Sequence, residues 1–188
     1  MRCSQFKLLG MCFVALSALA CAGNKKLVVS RAPLSEEQLS VYRGFLDKFS
    51  TLNFNQLSSM TIRFDFKGFP ETRPCLKGID LEDASAALNT VHILGDEITK
   101  GRELRLVTPS ELSTILDRDP ISSTDKNLGV LVLSEVVFDA NHRYAVLKYE
   151  FVCGNRCGSG ATLVMEKIDG LWTISSRHPC AAFVGSSD

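Results

Sequence analysis

The chain has 188 residues, with 21 Lys plus Arg against 21 Asp plus Glu, so its formal net charge at pH 7 is zero. That balance, with no clustered basic run, excludes the electrostatic footprint of a nucleic-acid-binding protein. A charged fraction of 22% and 11 Phe indicate a folded globule rather than a disordered chain.

The first residues carry a targeting pattern. Arg2 and Lys7 form a short basic region, and Leu8, Leu9, Met11, Cys12, Phe13, Val14, Ala15 and Leu16 form an apolar run broken by Gly10. Ser17-Ala18-Leu19-Ala20 leads into Cys21. The run is too short and wrongly flanked for a membrane-spanning helix. It resembles a bacterial lipoprotein signal, in which cleavage precedes a cysteine that then carries lipid. The resemblance implies a signal peptide at 1–20, lipid on Cys21, and an exported envelope protein anchored to a bacterial membrane. Ala18-Leu19-Ala20 also satisfies an ordinary A-x-A cleavage site, which would release a soluble form. Loss of residues 1–20 removes two basic residues, Arg2 and Lys7, and no acid, leaving 19 against 21 and a net charge of −2.

Residues 21–33 are expected to be a tether and 34–188 a single α+β domain, long enough to bury a core without a metal. Ser35-Glu36-Glu37-Gln38 is a capping-box pattern, and Leu39, Tyr42, Leu46 and Phe49 recur at helical spacing behind it. The spacing predicts a helix over 36–49. Thr61, Ile62, Phe64 and Phe66 predict a short strand, followed by a loop between Pro70 and Pro74 that leads to Cys75. Leu81, Ala84, Leu88 and Val91 predict a helix near 81–93, and 104–107 a strand. Thr108-Pro109-Ser110-Glu111 starts another helix, with a capping hydroxyl, proline at the first position and an acid at the third; Asp119-Pro120 ends it.

From Gly129 the period changes to two. Val130, Val132, Val136 and Phe138 alternate with Leu131, Leu133, Glu135 and Val137, predicting one strand over 130–138. A second follows at 145–153, a third at 161–168, then the tight-turn pair Asp169-Gly170 and a fourth over 171–175. The expected architecture is a four-strand antiparallel C-terminal meander, with helices from the N-terminal half packed on one face.

The most distinctive segment is Cys153-Gly154-Asn155-Arg156-Cys157-Gly158-Ser159-Gly160, with Gly170-Leu171-Trp172 further on. Here the chain resembles uncharacterised bacterial secreted or lipid-anchored proteins sharing a C-G-x-x-C-G-x-G hairpin followed by G-x-W. That resemblance implies export and the fold, and no mechanism. Cys3 and Cys12 leave with the signal and Cys21 takes lipid, so Cys75, Cys153, Cys157 and Cys180 remain, an even set suited to disulfides in an oxidising compartment. A bend at Gly154–Arg156 favours Cys153–Cys157, which leaves Cys75–Cys180 by exclusion. A redox pair is a weaker reading, because the spacing is C-x-x-x-C and no helix start follows. Zinc held by Cys153, Cys157, His178 and Cys180 is another, against which export favours oxidised cysteine.

Motifs with a mechanism are missing. The positions two away from Ser159 are Cys157 and Ala161, not the glycines of G-x-S-x-G, and the chain has no H-E-x-x-H, phosphate-binding loop or dinucleotide fingerprint. His92, His142 and His178 each sit where a satisfied polar residue is the simpler reading. Glu82 with Asp83, Asp96 with Glu97, and Asp117 with Asp119 suit helix ends and solvent. The expectation is therefore an envelope-located binding or structural module with no cofactor or metal, its partners the membrane and an envelope protein or ligand. The alternative is a small exported, hydrolase-like enzyme with a loop-built site.

Overall fold

A computed structural model describes residues 27–49, 54–64, 74–81, 85–117, 129–154, 158–180 and 182–185. Chain order runs β1 (Val28–Ser30), α1 (Glu36–Phe49), β2 (Gln56–Ser58), α2 (Ser85–Asn89), β3 (Thr90–His92), α3 (Asp96–Thr99), β4 (Arg105–Val107) and α4 (Pro109–Leu116). Then come β5 (Val130–Leu133), β6 (Val137–Phe138), β7 (Tyr144–Val152), β8 (Gly158–Ile168), β9 (Leu171–Ile174) and β10 (Ala182–Gly185). The fold is mixed α/β, with a mostly antiparallel sheet and few helices. No helix among the described residues is long and apolar enough to cross a membrane.

The long hairpin β7–β8 forms the centre of the sheet. β5 and β6 share the outer edge of β7, and β9 and β10 share the outer edge of β8, all antiparallel. Asp169 and Gly170, both at positive φ, close the β8–β9 turn, where glycine takes that conformation at no steric cost. The sheet does not stop at four strands. β2 joins β5 in parallel and β4 joins β2 in parallel, so the N-terminal half supplies part of the sheet as well as helices.

Helix α1 covers one face. Its box is closed reciprocally: the Gln38 amide donates to Ser35 Oγ at 3.1 Å and the Ser35 amide to Gln38 Oε1 at 3.0 Å. Leu39, Val41, Tyr42, Phe45 and Leu46 are buried, against Leu131, Leu133, Ala145, Leu147, Met165 and Trp172. Gly44 allows this approach, since a Cβ there would run into the Trp172 carbonyl oxygen.

Strand alternation puts Val146 and Val164 on the other face, where Phe64, Ala87 and Val137 join them, with Leu76, Ile79, Tyr144 and Cys180 packed around. Val130 and Val132 form a separate cluster with Val107, against Leu112 and Ile115 of α4. A disulfide joins Cys75 to Cys180 with Cα atoms 5.0 Å apart across a sequence separation of 105, tying the 74–81 turn to this second face.

Several expectations need correction. The helix expected near 81–93 is the short α2, because Thr90, Val91 and His92 pair with Val28, Val29 and Ser30 as a parallel two-stranded sheet. β-Branched residues favour that extended conformation. β1 also lies inside the expected tether. Among the described residues of the strand expected at 61–66, Ile62 makes only an isolated bridge to Ser134.

The strand expected over 130–138 is broken. Leu133 pairs with Tyr149 and Val137 with Val146, four steps on one side against three on the other, so one extra residue bulges out. The bulge reverses the facing: Val136, expected on the side of Val130 and Val132, packs with Leu131 and Leu133.

Candidate functional site

The residues singled out in the sequence fall in three places. Cys21 and Cys157 lie outside the described residues. Cys75 and Cys180 form the disulfide above, and Cys153 is also disulfide-bonded, so the expected Cys153–Cys157 pair rests on a residue that is not described. The bond spends Cys180, which removes it from a zinc set with His178. His178 Nδ1 instead lies 3.0 Å from the Cys75 carbonyl oxygen, and its ring stands edge-on to Tyr144 at 5.1 Å. Among the described residues no three His, Cys, Asp or Glu gather as a metal site.

The glycines of the distinctive hairpin serve backbone approach. A Cβ on Gly160 would lie 2.5 Å from the Tyr149 carbonyl oxygen, and one on Gly158 3.2 Å from that of Phe151. Both glycines pair with β7 on one side and β10 on the other. Trp172, from the G-x-W part, is buried under α1, with Lys167 Nζ 5.4 Å above its ring.

The sheet bulge builds what the sequence reading missed. Glu135 sits in it with only 2% of its surface exposed. The chain there leaves β7: the Glu135 amide donates to the Ile62 carbonyl at 2.8 Å, and the Ile62 amide to that of Leu133 at 2.8 Å. Ser134 stands in for the lost ladder, its Oγ accepting from the Lys148 amide at 2.8 Å. A bulge re-aims a side chain, and this one turns the Glu135 carboxylate toward Thr61 and His92.

Every donor around that carboxylate has a purpose. Thr61 Oγ1 donates to Oε1. The His92 amide donates to Oε1 at 2.9 Å and to Thr61 Oγ1 at 2.7 Å. His92 Nδ1 lies 2.9 Å from Oε2, and facing an acceptor-only carboxylate it is the donor. A buried acid is tolerated when its oxygens are satisfied in this way. Behind it, Tyr42 donates its hydroxyl to the Ser134 carbonyl at 2.8 Å. Burial, with the Glu135 charge adding to it, pushes the Tyr42 hydroxyl well above its ordinary value, so it stays a neutral donor.

This arrangement fixes one tautomer of His92. Its side chain is 15% exposed, and its Nε2 makes no hydrogen bond among the described residues. An acid-oriented imidazole with a free Nε2 has the form of a general base. Among the described residues it does not form a nucleophile relay with Thr61. In such a relay the hydroxyl sits on the outer ring nitrogen, whereas Thr61 sits on the acid.

Two further clusters are stitching. Glu166 is buried and accepts from Ser175 Oγ at 3.1 Å, with Arg177 at 3.3 Å and Arg143 at 3.4 Å. Glu37, in the first turn of α1, meets Lys167 Nζ at 2.8 Å and His142 Nδ1 at 2.6 Å; burial raises its pKa, but these two partners outweigh it and hold it below the usual value. Of the paired acids in the sequence, Asp96 and Glu97 open α3 and Asp117 caps α4, while Glu82, Asp83 and Asp119 lie outside the described residues.

One signal for Glu135 was available in the sequence. Ser134-Glu135 interrupts an apolar run from Val130 to Phe138, and a charge inside a buried strand needs a partner or a bulge. No family model, no curated protein and no solved structure matches this chain.

Proposed function

We propose that the protein is exported, carries lipid on Cys21, and works at a bacterial envelope membrane as a binding or structural module. The observation that carries this reading is the basic, apolar and small-residue run ending at Cys21. The Cys75–Cys180 bond supports it, because such bonds persist in oxidising compartments. The stitched character of the molecule fits a rigid module: glycines bring strands together, and buried acids are saturated with donors.

The test is the mass of the mature N-terminal peptide. An acylated Cys21 is expected, together with membrane fractionation that Cys21→Ser abolishes. A free, unmodified N-terminus sinks the reading.

A second reading has one observation in its favour. His92, held by Glu135 through Nδ1 with Nε2 unengaged among the described residues, is a ready base for a small exported enzyme. If a panel of ester, amide and glycoside substrates reveals turnover, that turnover is lost in His92→Gln while the fold persists. Turnover indifferent to His92→Gln rejects His92 as its base.

A further inference from the structure

Strand β1 leaves an apolar ribbon in the open. Leu27, Val28 and Val29 are 45%, 54% and 51% exposed, and Ile93, one step beyond β3, is 45% exposed. The other large hydrophobic residues exposed among the described residues are scattered, with Leu116 at the end of α4 and Ile168 and Leu171 flanking the β8–β9 turn. A run of three exposed aliphatic residues is a pattern that folded surfaces avoid unless something covers it. Among the described residues β1 pairs only with β3, so the ribbon's outer edge is open as well.

We propose that this ribbon lies on the membrane leaflet that carries the anchor, at headgroup depth, and sets how the domain faces the membrane. The proposal rests on the lipid-anchor reading of Cys21. Six residue steps separate Cys21 from Leu27, and they reach at most about 20–22 Å. The headgroup layer of one leaflet is only about 5–8 Å deep, so a lipidated Cys21 holds the ribbon within easy reach of it. Charge points the same way. From Cys21 to Ser35 the chain carries Lys25, Lys26 and Arg31 and no acid, although the chain beyond the signal is net acidic. Basic residues that adjoin an aliphatic run in the sequence match an anionic lipid surface, with headgroups suited to the cations and the acyl boundary to the aliphatic side chains.

The ribbon is also fastened to the body, which an orienting device requires. The Ile93 amide donates to the Ser30 carbonyl at 3.3 Å, and the Leu94 amide to that of Ser59 at 2.8 Å. Just before them, His92 is held by Glu135 and Thr61. β1 is therefore connected through β3 and the Glu135 bulge to β5 and β6.

The test separates the ribbon from the anchor. Val29→Trp is placed in the full mature chain carrying Cys21→Ser, and mixed with phosphatidylglycerol vesicles whose acyl chains are brominated. A short tether supplies an effective concentration on the order of mM, so mM lipid is the fair comparison. Quenching of the introduced indole by about twofold is expected, weaker in neutral vesicles and lost when Leu27→Asp and Ile93→Asp are added on the same side of the strand. The parent chain corrects for Trp172, and an intact Cys75–Cys180 bond with unchanged circular dichroism shows that each variant folds. No quenching at mM lipid overturns the proposal, as does a lipid-independent dimer that buries the indole. The acyl mass on wild-type Cys21 is measured separately, so quenching alongside a free Cys21 keeps the ribbon and removes the anchor.

Discussion

The two faces of the sheet are held by different means. α1 and the face it covers share one continuous apolar cluster of 16 buried residues among those described, from Leu34 to Trp172. The opposite face has two separate clusters of 5 and 3 buried residues among those described. The smaller clusters come with stitching: the Cys75–Cys180 disulfide, the saturated Glu166 and the cap of α4. The Glu135 clasp joins the 61, 92 and 135 segments at the strand break. The helices repeat the contrast. Both open with a capping box, but α1 buries five residues and α4 buries none. Where apolar area is plentiful the chain relies on it, and where it is divided the chain relies on specific bonds.

The largest test breaks the stitched face at its covalent link. Replacing Cys75 and Cys180 together by Ala releases a loop whose ends are 105 residues apart, and chain entropy puts the loss at about 4–5 kcal/mol. Chemical denaturation should show the lowered midpoint. Hydrogen exchange should rise first around 74–81 and 176–180 and last in α1, and uniform exchange throughout would erase the distinction between the faces. The counterpart on the continuous face is Phe45→Ala. Phe45 is fully buried, with the Phe49 and Tyr149 rings 4.4 and 5.5 Å away, and its truncation should cost about 4 kcal/mol. This loss should appear as global unfolding, with no segment released early.

The Glu135 clasp comes next. Glu135→Ala leaves Thr61 Oγ1 and His92 Nδ1 without their acceptor and the His92 amide with Thr61 Oγ1 alone, at a cost of about 2–3 kcal/mol. Glu135→Gln keeps one carbonyl oxygen for Oε1's donors and should lose less. The informative readout is local: amide exchange at His92 and Ile93 should accelerate in Glu135→Ala, because β3 is held on that side by the clasp. Unchanged exchange there would mean that β1–β3 is fixed by its own pairing.

The contrast also explains what was legible in the sequence. α1 is written locally, as a Ser35 box followed by a helical stripe, and the β7–β8–β9 run is written as alternation with Asp169-Gly170 between strands. The clasp is not local. Its residues lie 31, 43 and 74 positions apart, so nothing within one segment announces it. β2 and β4 were hard to place together for the same reason. They are three-residue strands whose parallel pairing is set by distant partners. Alternation also carries no mark of an extra residue, so the bulge at Ser134–Val136 moved Val136 to the other face and gave Glu135 its direction. The Ser-Glu pair inside an apolar run was the one available hint.

The smallest effects concern α4, which leans on its cap. The Glu111 amide donates to Thr108 Oγ1 at 3.3 Å, and the Thr108 amide to Glu111 Oε2 at 2.8 Å. Thr108→Ala should cost about 1 kcal/mol and fray the helix, visible as faster exchange of the Leu112 amide, which bonds to the Thr108 carbonyl. The same box makes α4 sensitive to acid. The Thr108 amide first, then Arg105 and the Thr108 hydroxyl, hold the Glu111 carboxyl down to about 2 from an ordinary 4.5. A folded-state value below the unfolded one means that the stabilisation is fully present above 4.5 and drains away as pH falls toward 2. Exchange at Leu112, corrected for its intrinsic pH dependence, should therefore lose protection across that window in the wild type. Glu111→Gln keeps an acceptor for the Thr108 amide but carries no charge to lose, so its protection should be lower at neutral pH and flat through the same range. α1 supplies the control in a Glu37→Gln background, which removes the acid of its own first turn that Lys167 and His142 hold below the usual value. Its box partner is Gln38, which does not titrate, and its buried stripe holds it. If the Leu39 amide, bonded to the Ser35 carbonyl, lost protection in step with Leu112, the acid response would belong to the whole fold and not to the helix that depends on its cap.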